Sequence, residues 1–112
     1  MRNMSFMLTT EQFKNKTKTV TRRLGWWFLK HGDTVMGVEK GMGLKKGEKI
    51  VRLGPIYIMS TYPEPLIEIT QKEVILEGFP DKSPEWFIDM FCKSHKKCTP
   101  KTIVNRILLK YL

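Results

Sequence analysis

Apolar residues recur along this chain in short stretches, and the polar, glycine and proline residues between them mark where elements begin and end. Thr9-Thr10-Glu11-Gln12 has the form of a capping box, with Thr9 as the cap and Gln12 reaching back. It predicts a short helix from Thr10 to about Lys16, with Phe13 as its main inward contact. Thr19 to Arg23 reads as a strand. Gly25-Trp26-Trp27-Phe28-Leu29 is an aromatic cluster ahead of the turn His31-Gly32-Asp33, and Thr34 to Glu39 is a further strand. The stretch Gly41-Met42-Gly43-Leu44-Lys45-Lys46-Gly47 holds too many glycines for a regular element and is expected to be a mobile loop. Two extended runs follow, Glu48 to Leu53 and Ile56 to Thr61, broken by Gly54-Pro55, and Pro63 and Pro65 interrupt the chain before Leu66.

A second capping box, Thr70-Gln71-Lys72-Glu73, opens a short helix that Gly78 should close. Ser83-Pro84 starts a third, with serine as cap and proline in the first turn. Trp86, Phe87, Met90 and Phe91 then form one apolar face, and Lys93, Lys96 and Lys97 lie at the far end, where cations suit the helix dipole. A last strand runs from Ile103 to Leu112, with Ile103, Ile107, Leu109 and Tyr111 as its packing residues. No internal repeat or linker interrupts the pattern, so residues 1–112 read as one α+β domain with about three short helices. Short strands in this number close most readily into a small β-barrel, which removes exposed edges. Strand order does not follow from the pattern.

Composition narrows the class. With 41% hydrophobic and 11% aromatic residues the chain should fold around a core. Twenty Lys and Arg against eleven Asp and Glu give a net charge of +9, which favours a polyanionic partner, nucleic acid above all. The longest apolar runs, around Gly25 to Leu29 and Pro55 to Met59, are too short to span a bilayer. Nothing near Arg2 resembles a secretory signal, so a soluble cytoplasmic protein is expected. Cys92, His95 and Cys98 invite a zinc reading, but three local ligands fall short of the four a structural site needs. Two unlinked thiols are the expectation, with no metal and no other cofactor.

The densest chemistry is Lys18-Thr19-Val20-Thr21-Arg22-Arg23, with Lys14 and Lys16 just before it. In an extended segment Thr19, Thr21 and Arg23 share a face, and Lys18 can swing toward it. A hydroxyl, a bidentate guanidinium and an amine then surround one spot, which suits a phosphate-bearing or nucleoside ligand. On charge alone, a solvated basic strand explains the same residues.

Lys-Thr-x-Thr-x-Arg after a short helix resembles the signature of the ASCH domain, a small PUA-like barrel associated with RNA. The similarity continues through Gly32-Asp33 before a strand, Ile69-Thr70 before a helix ending at Glu77-Gly78-Phe79, and the closing strand Val104-Asn105-Arg106-Ile107. The glycine-rich loop and Met90-Phe91-Cys92 look most like compact ASCH proteins of phages and bacteria, which would place a phage-encoded copy in the host cytoplasm. The resemblance implies a cleft between the first basic strand and the helix carrying Glu77. Some members of the family are amidohydrolases that deacetylate acetylcytidine with a lysine, a threonine and a glutamate, which here fall on Lys18, Thr21 and Glu77. Other members bind or cleave RNA. Thr19, Arg22, Arg23, Trp26, Lys45 and Lys46 are the candidate contacts to RNA or a modified nucleoside. Trp26 and Trp27 beside the motif depart from the family pattern and could reshape the cleft. A ribonuclease, and a phage factor binding a host protein through those tryptophans, are the alternatives.

Overall fold

A computed structural model describes residues 1–41 and 43–112; Met42, in the expected glycine-rich loop, lies outside the described residues. The fold is α+β: among the described residues, five strands in one sheet, with three α-helices and two 3-10 turns. The strands are β1 (Asn3–Ser5), β2 (Val20–Arg23), β3 (Thr34–Val38), β4 (Arg52–Pro65) and β5 (Ile103–Tyr111). The helices are α1 (Thr10–Lys14), α2 (Gln71–Leu76) and α3 (Pro84–Ser94).

The sheet order is β1-β3-β4-β5-β2. β1 runs parallel to β3, and the other pairs are antiparallel. The expected closed barrel is therefore not formed, since β1 and β2 stand at opposite edges and share no ladder among the described residues. A side chain spans the opening instead. Arg23, at the end of β2, donates through Nη2 to the Ser5 carbonyl at the end of β1, 2.6 Å away.

Two apolar clusters flank the sheet. Phe6, Phe13, Val35, Ile56, Ile58 and Ile107 are among the buried residues of one; Leu66, Val74, Phe87, Phe91 and Val104 fill the other, beneath α2 and α3. At five residues α1 is far below the ~12–15 that an isolated helix needs. Phe13 holds it in place, its ring 4.8 Å from Phe6 and 5.0 Å from Tyr111. Gly37 leaves room for that ring, because a Cβ there would stand 2.4 Å from it.

Several boundaries differ from the sequence expectations. Thr9 makes no side-chain cap, because a 3-10 turn over Met7–Thr9 leads into α1 and leaves Thr9 outside the extended geometry a cap requires. The helix also ends two residues early, and Lys16 takes a left-handed φ of 60°. Glu48 to Val51 form no strand, and Gly54-Pro55 does not break β4. The Pro55 carbonyl accepts from Leu112 N, so the side of the residue that lacks an N–H faces the end of β5, where little pairing remains to lose. Pro63 and Pro65 fall where β4 has only β5 beside it, because its pairing with β3 ends at Tyr57. Ile103 is exposed, while Ile107 and Leu109 pack inward. Thr70 and Ser83 cap their helices as expected, accepting from the backbone of Glu73 and Trp86.

Candidate functional site

Glu77 follows directly on α2, and three contacts bring that end of the helix against the chain entering β2. Thr19 N donates to Leu76 O at 2.9 Å, Lys18 N to Gln12 O at 3.3 Å, and Gln12 Nε2 to Gly78 O at 3.3 Å. Gly78 makes this approach possible: its φ is +106°, and a Cβ there would lie 2.8 Å from Gln12 Cγ. The Tyr111 hydroxyl donates to the Lys18 carbonyl and ties the same segment to β5. Residues 59 positions apart thus become neighbours.

Lys18 Nζ lies 2.7 Å from Glu77 Oε1 and 2.9 Å from the Glu77 carbonyl. Glu77 Oε2 accepts from Arg22 Nη1 at 2.9 Å. Arg22 Nη2 reaches Glu73 Oε1 at 2.8 Å and Glu64 Oε2 at 3.0 Å. Arg106, opposite Arg22 in the ladder, holds both oxygens of Glu73. Two guanidiniums facing each other across strands would repel, and Glu73 between them removes the conflict. Its carboxylate is committed to these arginines, while its backbone N–H serves the Thr70 cap. Lys18, Thr21, Arg22 and Glu77 are all 3% exposed or less, so none is a solvated surface group.

Burial is the largest influence on Lys18 and holds its ammonium below the usual lysine pKa; the Glu77 contact opposes that shift, and Arg23 and Arg22 add to it. Burial likewise brings Arg23 down to about 10, with Glu77 only partly offsetting it. Burial acts on Arg22 too, but Glu77, Glu73 and Glu64 together outweigh it and raise its pKa. For Glu73 the hydrogen bonds from Arg106 dominate, helped by Arg22, and its carboxyl sits below the usual range.

Part of this network forms the polar wall of a cavity of about 270 Å³. Lys18, Thr21, Arg22, Arg23 and Glu77 lie on that wall, while Phe6, Phe79, Phe87, Met90 and Phe91 supply an apolar one. Ser94 and His95 also border the cavity. Arg23 Nε donates to Thr21 Oγ1 at 3.1 Å, which leaves the threonine hydroxyl hydrogen free to donate. His95 stacks on Phe91 with ring centroids 4.2 Å apart and donates from Nδ1 to the Phe91 carbonyl, 2.8 Å away. In its neutral form that bond leaves Nε2 as an acceptor.

Five sequence-selected residues therefore converge on one cavity: Lys18, Thr21, Arg22, Arg23 and Glu77. The other four do not line it. Thr19 is taken up by backbone bonds to Leu76 and Leu109. Trp26 packs against the first apolar cluster at a φ of 59°. Lys45 and Lys46 are exposed on a turn closed by Glu48, whose Oε1 accepts from Lys45 N at 2.7 Å. The apolar wall is not singled out by the sequence, because Phe87, Met90 and Phe91 carry the ordinary signal of a core-facing helix. His95 draws notice only beside two cysteines, yet it joins the cavity while Cys92 and Cys98 sit with Sγ atoms 3.3 Å apart as free thiols. Among the described residues no group of three or more His, Cys, Asp and Glu is placed to hold a metal ion, and no helix is long and apolar enough to cross a membrane.

No protein-family model matches the chain, and no curated protein matches it. Two solved structures resemble it over most of its length. An ASCH domain from Lactobacillus crispatus JV V101 superimposes with a TM-score of 0.68 at 14% identity, covering 98% of this chain and 78% of that one. A protein of the DUF984 family from Enterococcus faecalis V583 gives 0.66 at 14% identity, covering 94% and 70%. The chain has an ASCH-like fold.

Proposed function

We propose that the protein binds an RNA base or a modified nucleoside in the cavity between β2 and α2. The observation that carries this reading is the pairing of a buried hydrogen-bonding wall with an aromatic wall across one small space. At about 270 Å³ the cavity lies at or just below the ~300–1,000 Å³ usual for small-molecule sites, so it suits one nucleoside and not a longer segment. Phe79, only partly buried, supplies the aromatic surface, since His95 covers a face of Phe91, while Thr21 and His95 offer a donor and an acceptor to a base edge. The +9 charge and the ASCH-like fold point to RNA as the source of that base. Fluorescence titration with a short single-stranded RNA at two salt concentrations tests it. Tight binding at low salt that weakens at high salt is expected; no binding at low salt, or binding indifferent to salt, overturns it.

A second reading, hydrolysis of an acylated cytidine, is favoured by one observation. Lys18 is a buried amine whose pKa is lowered, on the same wall as a threonine whose oxygen already accepts a guanidinium bond. A neutral Lys18 would take the Thr21 proton as the oxygen attacks the acetyl carbonyl, and the amide C–N bond would break as the cytidine amine regains a proton. Water would then release acetate from the threonine ester. No hydrogen bond joins Lys18 to Thr21 among the described residues, so the pair would have to close when ligand enters. Incubation with acetylcytidine, followed by chromatography, should yield cytidine, and Thr21→Ala and Lys18→Ala should each abolish the yield. No cytidine from the unaltered protein removes this reading and leaves the binding reading intact.

A further inference from the structure

Seven charged side chains cluster beside this cavity, of which Lys18, Arg22, Arg23 and Glu77 line it, and among the described residues Arg23 alone of the seven is in no ion pair. Lys18, Arg22 and Arg106 stand against Glu64, Glu73 and Glu77, three cations to three carboxylates, every one in an ion pair. Arg23 is the seventh. Its Nε goes to the Thr21 hydroxyl and its Nη2 to the Ser5 carbonyl, both neutral, and its guanidinium lies 4.8 Å from the Phe6 ring centroid. Nη1 makes no hydrogen bond among the described residues. A second donor is also unsatisfied among the described residues: Arg22 Nε is buried without a partner. Both arginines line the cavity.

Arg23 is only partly buried, so its unpaired charge and free Nη1 stay open to a ligand, whereas the buried Arg22 Nε without an acceptor is costly in itself. A neutral carbonyl would satisfy the donor but leave the charge. An oxyanion answers both, through short charge-assisted bonds. We infer that the ligand of this cavity is anionic, with phosphate or carboxylate oxygens facing Arg23 Nη1 and with Arg22 Nε as a further donor. The lowered pKa of Arg23 agrees with this, because an anion would stabilise the charged form that desolvation disfavours. The inference rests on the nucleoside reading for the aromatic part of the ligand, which makes a nucleotide a better occupant than a neutral nucleoside.

Calorimetric titration of the whole chain with cytidine, cytidine 5′-monophosphate and benzoate separates the cases. The monophosphate should bind at least about tenfold more tightly than cytidine, the scale of one charge-assisted contact. Arg23→Gln should bring the two within about threefold, whereas Arg23→Lys, which keeps the charge, should retain part of the difference. Because Arg23 also links β1 to β2, the comparison of ligands on the unaltered protein decides the matter even if the Gln variant fails to fold. Tight binding of the monophosphate alone identifies phosphate as the anion. Tight binding of benzoate alone identifies carboxylate and removes the nucleoside reading while the anionic site stands. Cytidine binding as tightly as its monophosphate overturns the inference and spares the nucleoside reading. Failure of all three overturns both.

Discussion

Glu77 carries one negative charge between two buried cations, and its removal should be felt more in stability than that of any surface carboxylate. Glu77→Gln keeps the shape but leaves Lys18 and Arg22 facing an amide, and breaking a buried pair from one side costs about 3–5 kcal/mol. Urea denaturation measures it; a loss under about 1 kcal/mol would mean that other groups already compensate those cations. For any role as a proton donor, one of the two bonds at Glu77 would have to open first. For Glu73 the pH dependence follows from its partners, because the hydrogen bonds from Arg106 and Arg22 lower its pKa. Its folded pKa lies below the ordinary value of 4.5, so on acidification the unfolded chain binds the proton first. The stability this carboxylate contributes is present above 4.5 and is lost as pH falls through its folded pKa. Glu73→Gln should therefore cost about 1–3 kcal/mol at neutral pH and flatten the acid limb of a stability-against-pH curve. An acid limb unchanged in slope would show that Arg22 and Arg106 do not depend on Glu73.

Each element in the site has a local cause, and the join between α2 and β2 rests on one residue without a side chain. Gly78→Ala meets both a φ of +106° and the Gln12 side chain, so it should destabilise by more than about 1 kcal/mol. It should also weaken ligand binding, because the displaced turn carries Glu77; intact binding at reduced stability would show that the cavity tolerates a shift of that turn. The signals for this region are legible in the sequence: Thr70 and Ser83 as caps and Gly78 as a stop. They are local, set by the bonding needs of two or three neighbouring residues. β1 is not legible, since three residues carry no period and their partners in β3 lie 33 positions on. Gly54-Pro55 misleads as a break in β4 because the cost of a proline depends on what lies beside it. The open sheet is hidden for the same reason, as edge pairing is a property of strand order. Lys18, Thr21 and Glu77 stand out as a group only through family resemblance; Glu73 is marked only as the last residue of a capping box, and Glu64 bears no mark beyond its charge.

At the scale of the whole molecule, the net charge of +9 is divided between two settings that should behave differently. The cavity cations are mostly buried and paired, and such charges are screened little by salt. The exposed lysines, Lys45 and Lys46 among them, are solvated and would meet only phosphates outside the cavity. If RNA binds as proposed, most of its salt dependence should come from such surface lysines and its selectivity from the cavity. The double variant Lys45→Gln/Lys46→Gln should then weaken RNA binding at low salt and reduce the slope of log affinity against log salt by about 1–2, roughly one for each phosphate that no longer meets a lysine. The same variant should bind a mononucleotide as the unaltered protein does, since neither lysine lines the cavity. An unchanged salt slope would place the RNA path on another face of the molecule. Weaker mononucleotide binding would show that the loop closes over the cavity when ligand is present, and would bring these two lysines into the site after all.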